Sequence, residues 1–183
     1  MFLLYAIAAG ILAGFLLGGR LERLDGLRLR WTPVALAGLG VQLVLFFGPV
    51  GNAVGALGPA IYVASTGAVL AFVVRNLRVP GLPVVAGGAV ANLAAILANG
   101  GYMPASADAL TAAGLDPAEG FSNSVVLAQP ALAPLTDVFA LPAWLPMANV
   151  FSVGDVLIAI GVAVAITVAM RRPARGAAGP AEA

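Results

Sequence analysis

The stretch "SVGDVLIAIGVAVAITVAMRR", residues 152–172, decides how the chain is read. Between Val153 and Met170 its single charge is Asp155, and two arginines follow. An apolar run of this length is what a membrane-crossing helix needs. Ser152 stands three residues before Asp155, so "SVGD" predicts a capping box with Asp in the place usually held by Glu. An acid in a first helical turn is also favoured by the free N–H groups there. Local helix capping therefore accounts for Asp155. It does not account for Asp137, eighteen positions earlier in "LTDVF".

Four more apolar segments precede this one. They run from Phe2 to Gly19, Thr32 to Phe47, Leu57 to Val74 and Leu82 to Ala98. The first carries no Lys or Arg before it and no small-x-small cleavage site before Arg20, so it reads as a retained helix rather than a signal peptide. Composition agrees: 61% of the 183 residues are hydrophobic and 9% are charged. Soluble domains carry about 25% charged residues, so these polar residues are too few to cover a soluble surface. The expectation is an all-α membrane protein of about five transmembrane helices.

The nine cations, all arginine, fall in three places. Arg20, Arg23, Arg28 and Arg30 follow the first segment, Arg75 and Arg78 the third, and Arg171, Arg172 and Arg175 the fifth. Five spans put these three places on one side, which the positive-inside rule makes cytoplasmic. The N-terminus is then outside and the C-terminus inside. The expected organisation is one bundle over residues 1–170, with a proline-rich outer cap at 101–152 and a disordered tail at 171–183. Small residues at four-residue spacing (Gly10, Gly14 and Gly18; Gly87, Ala91 and Ala95; Gly161, Ala165 and Ala169) predict close helix contacts within the bundle or with a second copy.

Several chemistries are excluded. The sequence has no cysteine and no histidine, which removes thiol chemistry and the commonest metal ligand. No metal site and no cofactor are expected. The sequence has no phosphate-cradling glycine loop, and its arginines are too few and scattered for a nucleic-acid surface. The expected partners are membrane lipids, a second copy or another membrane protein.

Two sets of polar residues stand out. Gln42, Asn92 and Asn99 lie within or at the end of apolar segments, where an amide needs a partner. Helix–helix hydrogen bonding explains them; a polar path is the other reading. Tyr102 in "ANGGYMP", with Asn149 and Ser152 near the last helix, completes this candidate polar site. The second set is the acid pair, Asp137 and Asp155. Two carboxylates brought together share a proton, and one then serves as base on a water while the other serves as acid. Sequence spacing alone does not bring them together.

Residues 137–161 resemble the end of lipoprotein signal peptidase, a bacterial aspartyl enzyme. Here "DVF" supplies Asp137, and "FSVGD" supplies Phe151 and Asp155. Ser152 replaces that family's asparagine and Gly154 its alanine, and the upstream Gly-Asn-x-x-Asp-Arg motif has no counterpart. The resemblance implies catalytic roles for Asp137 and Asp155. Over nearly its full length the chain resembles a family of small bacterial membrane proteins of unknown function, through "GGRLERLDGLRLRW", "ANGGYMP" and "FSVGDVLIAIG". That resemblance implies a multipass protein of the inner membrane and no activity. The leading expectation is a structural or partner-binding role; the alternatives are an aspartate-dependent hydrolase or peptidase and a small-molecule or lipid carrier.

Overall fold

A computed structural model describes residues 2–46, 48–115 and 124–172. The outer acids Asp116 and Glu119 and the tail from residue 173 lie outside the described residues. Five helices occupy the five apolar segments: α1 (Phe2–Leu16), α2 (Thr32–Leu45), α4 (Gly58–Arg75), α5 (Leu82–Ala98) and α7 (Val153–Arg171). Two short helices, α3 (Gly48–Val54) and α6 (Ala107–Ala113), lie between them.

Of the five expected spans, the described residues support two by length. Two helices are long and apolar enough to cross a membrane, Gly55–Arg75 with 21 residues and Val153–Arg171 with 19. The other three, Leu3–Leu16, Thr32–Leu45 and Leu82–Ala98, are shorter. Backbone turns cut them off: Gly18 and Trp31 flank the first connection, and Gly81 and Gly100 bracket α5, all with positive φ. At about 1.5 Å per residue, the 14 residues of α2 reach roughly 21 Å, short of a hydrocarbon core of about 30 Å.

The all-α expectation also needs a correction. The segment between α5 and α7 carries four two-residue strands: β1 (Met103–Pro104), β2 (Ser124–Val125), β3 (Phe139–Ala140) and β4 (Val150–Phe151). β1 pairs with β2 in parallel. β3 pairs with β4 antiparallel, with Phe139 opposite Phe151 and Ala140 opposite Val150. Six prolines in this stretch rule out one long helix, and extended backbone is the conformation they tolerate. Helix α6 buries Ala109, Leu110 and Ala113 with Ala105 and Val150, which anchors the cap. Ser106 caps it as the sequence predicts, accepting from Ala109 N at 3.5 Å.

Helix α7 is the central element. Gly10 of α1 lies against Ala163 so closely that an added Cβ would sit 2.9 Å from its Cα. Thr167 Oγ1 donates to Gly10 O across the same contact at 3.0 Å. On the other side, Gly88 of α5 meets Gly154 and Ile158, and Gly81 meets Gly161. These contacts make α1 parallel to α7, and α5 antiparallel to it. Small residues permit them, as predicted, but the α5 register differs. Gly87 faces open space, and its neighbour Gly88 makes the contact.

The arginine clusters meet at one end of this bundle. Arg20 N donates to Met170 O at 2.9 Å, which brings the first cluster beside Arg171. The Asn76 side chain binds the backbone of Arg30 in both directions, accepting from its N at 2.8 Å and donating to its O at 2.7 Å. Arg75 lies 6.0 Å from the Trp31 ring centroid, within cation–π range. The cap occupies the opposite end, where Tyr5 Oη donates to Pro146 O at 2.6 Å.

Candidate functional site

The site forms where the cap meets the start of α7. Asp137 arrives on extended backbone. Its N donates to Pro104 O at 2.9 Å, and its carbonyl accepts from Ser106 N at 3.0 Å, so the main chain is pinned to the 104–106 strand. Two residues later the chain enters β3, paired with β4, and β4 runs into Ser152 and α7. Continuing that register by two residues sets Asp137 opposite Val153. Tertiary pairing thus supplies the proximity that the eighteen-residue spacing left open.

Asp137 is 6% exposed. Its Oδ1 is buried and has no hydrogen-bond partner among the described residues. Desolvation by this burial, and secondly the Asp155 charge, push its carboxyl from 3.8 up to about 7. A carboxyl in such a place holds a proton near neutral pH, because ionising it would place a second negative charge beside the first in a medium that solvates neither.

Asp155 has a built environment. Its N accepts the predicted cap by donating to Ser152 Oγ at 3.0 Å, and Ser152 N donates back to Asp155 Oδ2 at 3.0 Å. The capping box is complete. Asn92 of α5 then reaches across the helix contact: its Nδ2 donates to Asp155 Oδ1 at 2.8 Å, and its Oδ1 accepts from Ser152 Oγ at 2.8 Å. Both carboxylate oxygens therefore accept an N–H bond. Ser152 is fully buried, and Asp155 is half-buried.

Of the eight candidate residues, the structure gathers Asp137, Asp155, Asn92 and Ser152. The other four are elsewhere. Gln42 Nε2 donates to Thr66 Oγ1 at 3.1 Å between α2 and α4. Asn99 ties the cap to α5, donating to Ala131 O and accepting from Ala131 N, both at 2.9 Å. Tyr102 is half-buried just before β1. Asn149 carries its backbone contact to Leu141, whose N donates to Asn149 O at 2.8 Å. Gln42, Asn92 and Asn99 thus each have separate partners. Gly154 was absent from the candidates yet is integral: the atoms nearest a Cβ placed there belong to Asn92 and to Gly88 O. Its signal in the sequence was only a glycine just inside a helix start.

These features define a mostly helical protein with two helices able to cross a membrane and an acid pair under a small stranded cap. The chain belongs to a family of unknown function, DUF5317, whose model matches residues 26–167. No curated protein and no solved structure matches it.

Proposed function

We propose that this is a multipass membrane protein whose Asp137–Asp155 pair hydrolyses an amide bond at the outer face. The observation that carries the reading is the orphaned, buried Asp137 carboxyl beside an Asp155 already held by two N–H donors. Asp137 keeps its proton near neutral pH, and Asp155 is the carboxyl surrounded by donors, an asymmetry on which acid–base hydrolysis can draw. Asp155 takes a proton from water as the water oxygen attacks the amide carbonyl. Asp137 delivers its proton to the leaving nitrogen as the C–N bond breaks. Transfer from Asp155 back to Asp137 restores the resting pair. The resemblance of residues 137–161 to lipoprotein signal peptidase implies the same two acids.

The membrane setting is part of the proposal. The two long helices bury only 22% and 33% of their apolar windows within the chain, far less than the core helix of a soluble protein. Leu36, Leu43, Leu12 and Leu16 are more than half exposed, a surface that suits lipid. The three shorter helices cross too, with flanking residues and local thinning supplying the missing length. The shared arginine end faces the cytoplasm, which places the acid pair and the N-terminus outside in a bacterial inner membrane. A partner-binding role is supported by one further observation, the exposed apolar side chains on the cap that include Leu132, Phe139, Trp144 and Met147.

The hydrolase is tested in proteoliposomes supplied with a mixture of membrane-anchored peptides, with new termini read by mass spectrometry. Asp137→Asn and Asp155→Asn should each cut turnover by about 10²-fold or more while leaving the helical circular dichroism intact. Termini that form equally in both folded variants, or no cleavage across the mixture, would contradict it.

A further inference from the structure

The acid pair is asymmetric, and the asymmetry is imposed from outside it. We propose that Asn92 is a positioning residue: by clamping Asp155 from α5, it decides which member of the pair carries the shared proton. The amide does this with two bonds of opposite sense. Its Nδ2 donates to Asp155 Oδ1 at 2.8 Å, which stabilises negative charge on that carboxylate. Its Oδ1 takes the Ser152 hydroxyl proton at 2.8 Å. The Ser152 oxygen accepts from Asp155 N at 3.0 Å, and its hydroxyl also lies 3.2 Å from Asp155 Oδ2. Asn92 thus supports the capping box and the carboxylate at once. At Asp137, by contrast, the buried Oδ1 has no donor among the described residues. Donors therefore gather on Asp155 and, among the described residues, not on Asp137 Oδ1.

The approach of α5 makes this possible. Asn92 is one turn beyond Gly88, and Gly88 sits against Gly154 and Ile158. A side chain at either glycine would hold the helices apart and take the amide out of range. Other charges do not compete for the role. Helix α5 contains no ionisable residue, nor do 103–106 or 124–136. Helix α6 brings Asp108, which is exposed, and the described arginines lie at the opposite end of the bundle. Among the described residues, Asp155 is the charged group acting on Asp137.

This inference rests on the acid-pair reading of the site, but its test follows protons rather than cleavage. Full-length protein labelled with ¹³C at the aspartate carboxyls is reconstituted in lipid and titrated by NMR. Asp137→Asn and Asp155→Asn assign the two signals. In wild type, one step near neutral pH should belong to Asp137. In Asn92→Ala, Asp155 keeps the Ser152 N donor but loses Nδ2, so the step should divide, with the Asp155 signal now reporting part of it. Asn92→Leu, close in volume and uncharged, removes the Nδ2 donor without opening a large cavity, and should likewise divide the Asp137 step. An Asp137 step unchanged in both variants overturns the proposal. If the peptide assay shows no cleavage while the step divides as expected, the hydrolase reading fails and the positioning role stands. If cleavage depends on both acids but the step does not divide, the reverse holds.

Discussion

At the scale of single residues, burial leaves Asp137 Oδ1 without a hydrogen bond among the described residues. Its carboxyl is higher in the folded chain, about 7, than its ordinary 3.8. The folded state therefore binds more protons than the unfolded state between these values, and stability falls as pH rises through that window. The full benefit of a neutral, buried Asp137 exists below about pH 4 and is gone above about pH 7. Asn is neutral at every pH, so Asp137→Asn should leave the melting temperature close to wild type at pH 4. At pH 8 it should stabilise by an amount on the order of 4 kcal/mol, at about 1.4 kcal/mol per pKa unit over the shift from 3.8 to about 7. Thermal unfolding in detergent at both pH values measures this. A variant equally stable relative to wild type at pH 4 and pH 8 would remove the case for a strained acid. The opposite sign is expected at Ser152. Ser152→Ala loses the cap acceptor for Asp155 N and the donor to Asn92, and should cost about 1–2 kcal/mol at either pH.

At the scale of elements, the α5–α7 contact controls the site. An alanine at residue 154 is the smallest change that tests this, because its Cβ would run into the Asn92 side chain and into Gly88 O at 2.8 Å. Backbone cannot yield cheaply, so Gly154→Ala should destabilise by about 1–3 kcal/mol and break the Asn92–Asp155 bond. By contrast Gly87→Ala meets open space and should be neutral or slightly stabilising, since alanine is the better helix former by about 1 kcal/mol. Melting temperatures of the two variants should separate cleanly. This pair also marks what the sequence could and could not convey. Helix positions followed from apolar runs, and the Ser152–Asp155 box followed from a four-residue pattern, because both are local. The choice between Gly87 and Gly88 depends on the rotational setting of two packed helices, which no single helix encodes. The meeting of Asp137 with α7 depends on the β3–β4 register, formed by two-residue strands too short to show any alternation. Asn92 was legible as a polar residue needing a partner, but the partner was sixty-three positions away.

At the scale of the whole molecule, polarity runs from one end to the other. Arginines gather where Arg20 meets Met170 and Asn76 meets Arg30, and the acid pair lies under the cap at the far end. The proposed orientation requires that reporter fusions after Arg20 and Arg75 report the same side, and that one at Asn149 report the other. A fusion series placing Arg20 and Arg75 on different sides would dismantle the serpentine and the outer position of the acids together. The most direct measurement of the central claim, a carboxyl that keeps its proton near neutral pH, is infrared absorption of the reconstituted protein at pH 6. Wild type should show the C=O stretch of a protonated carboxylic acid that fades with a midpoint near pH 7 and is absent from Asp137→Asn. A band that is missing at pH 6, or that survives in Asp137→Asn, would contradict the account.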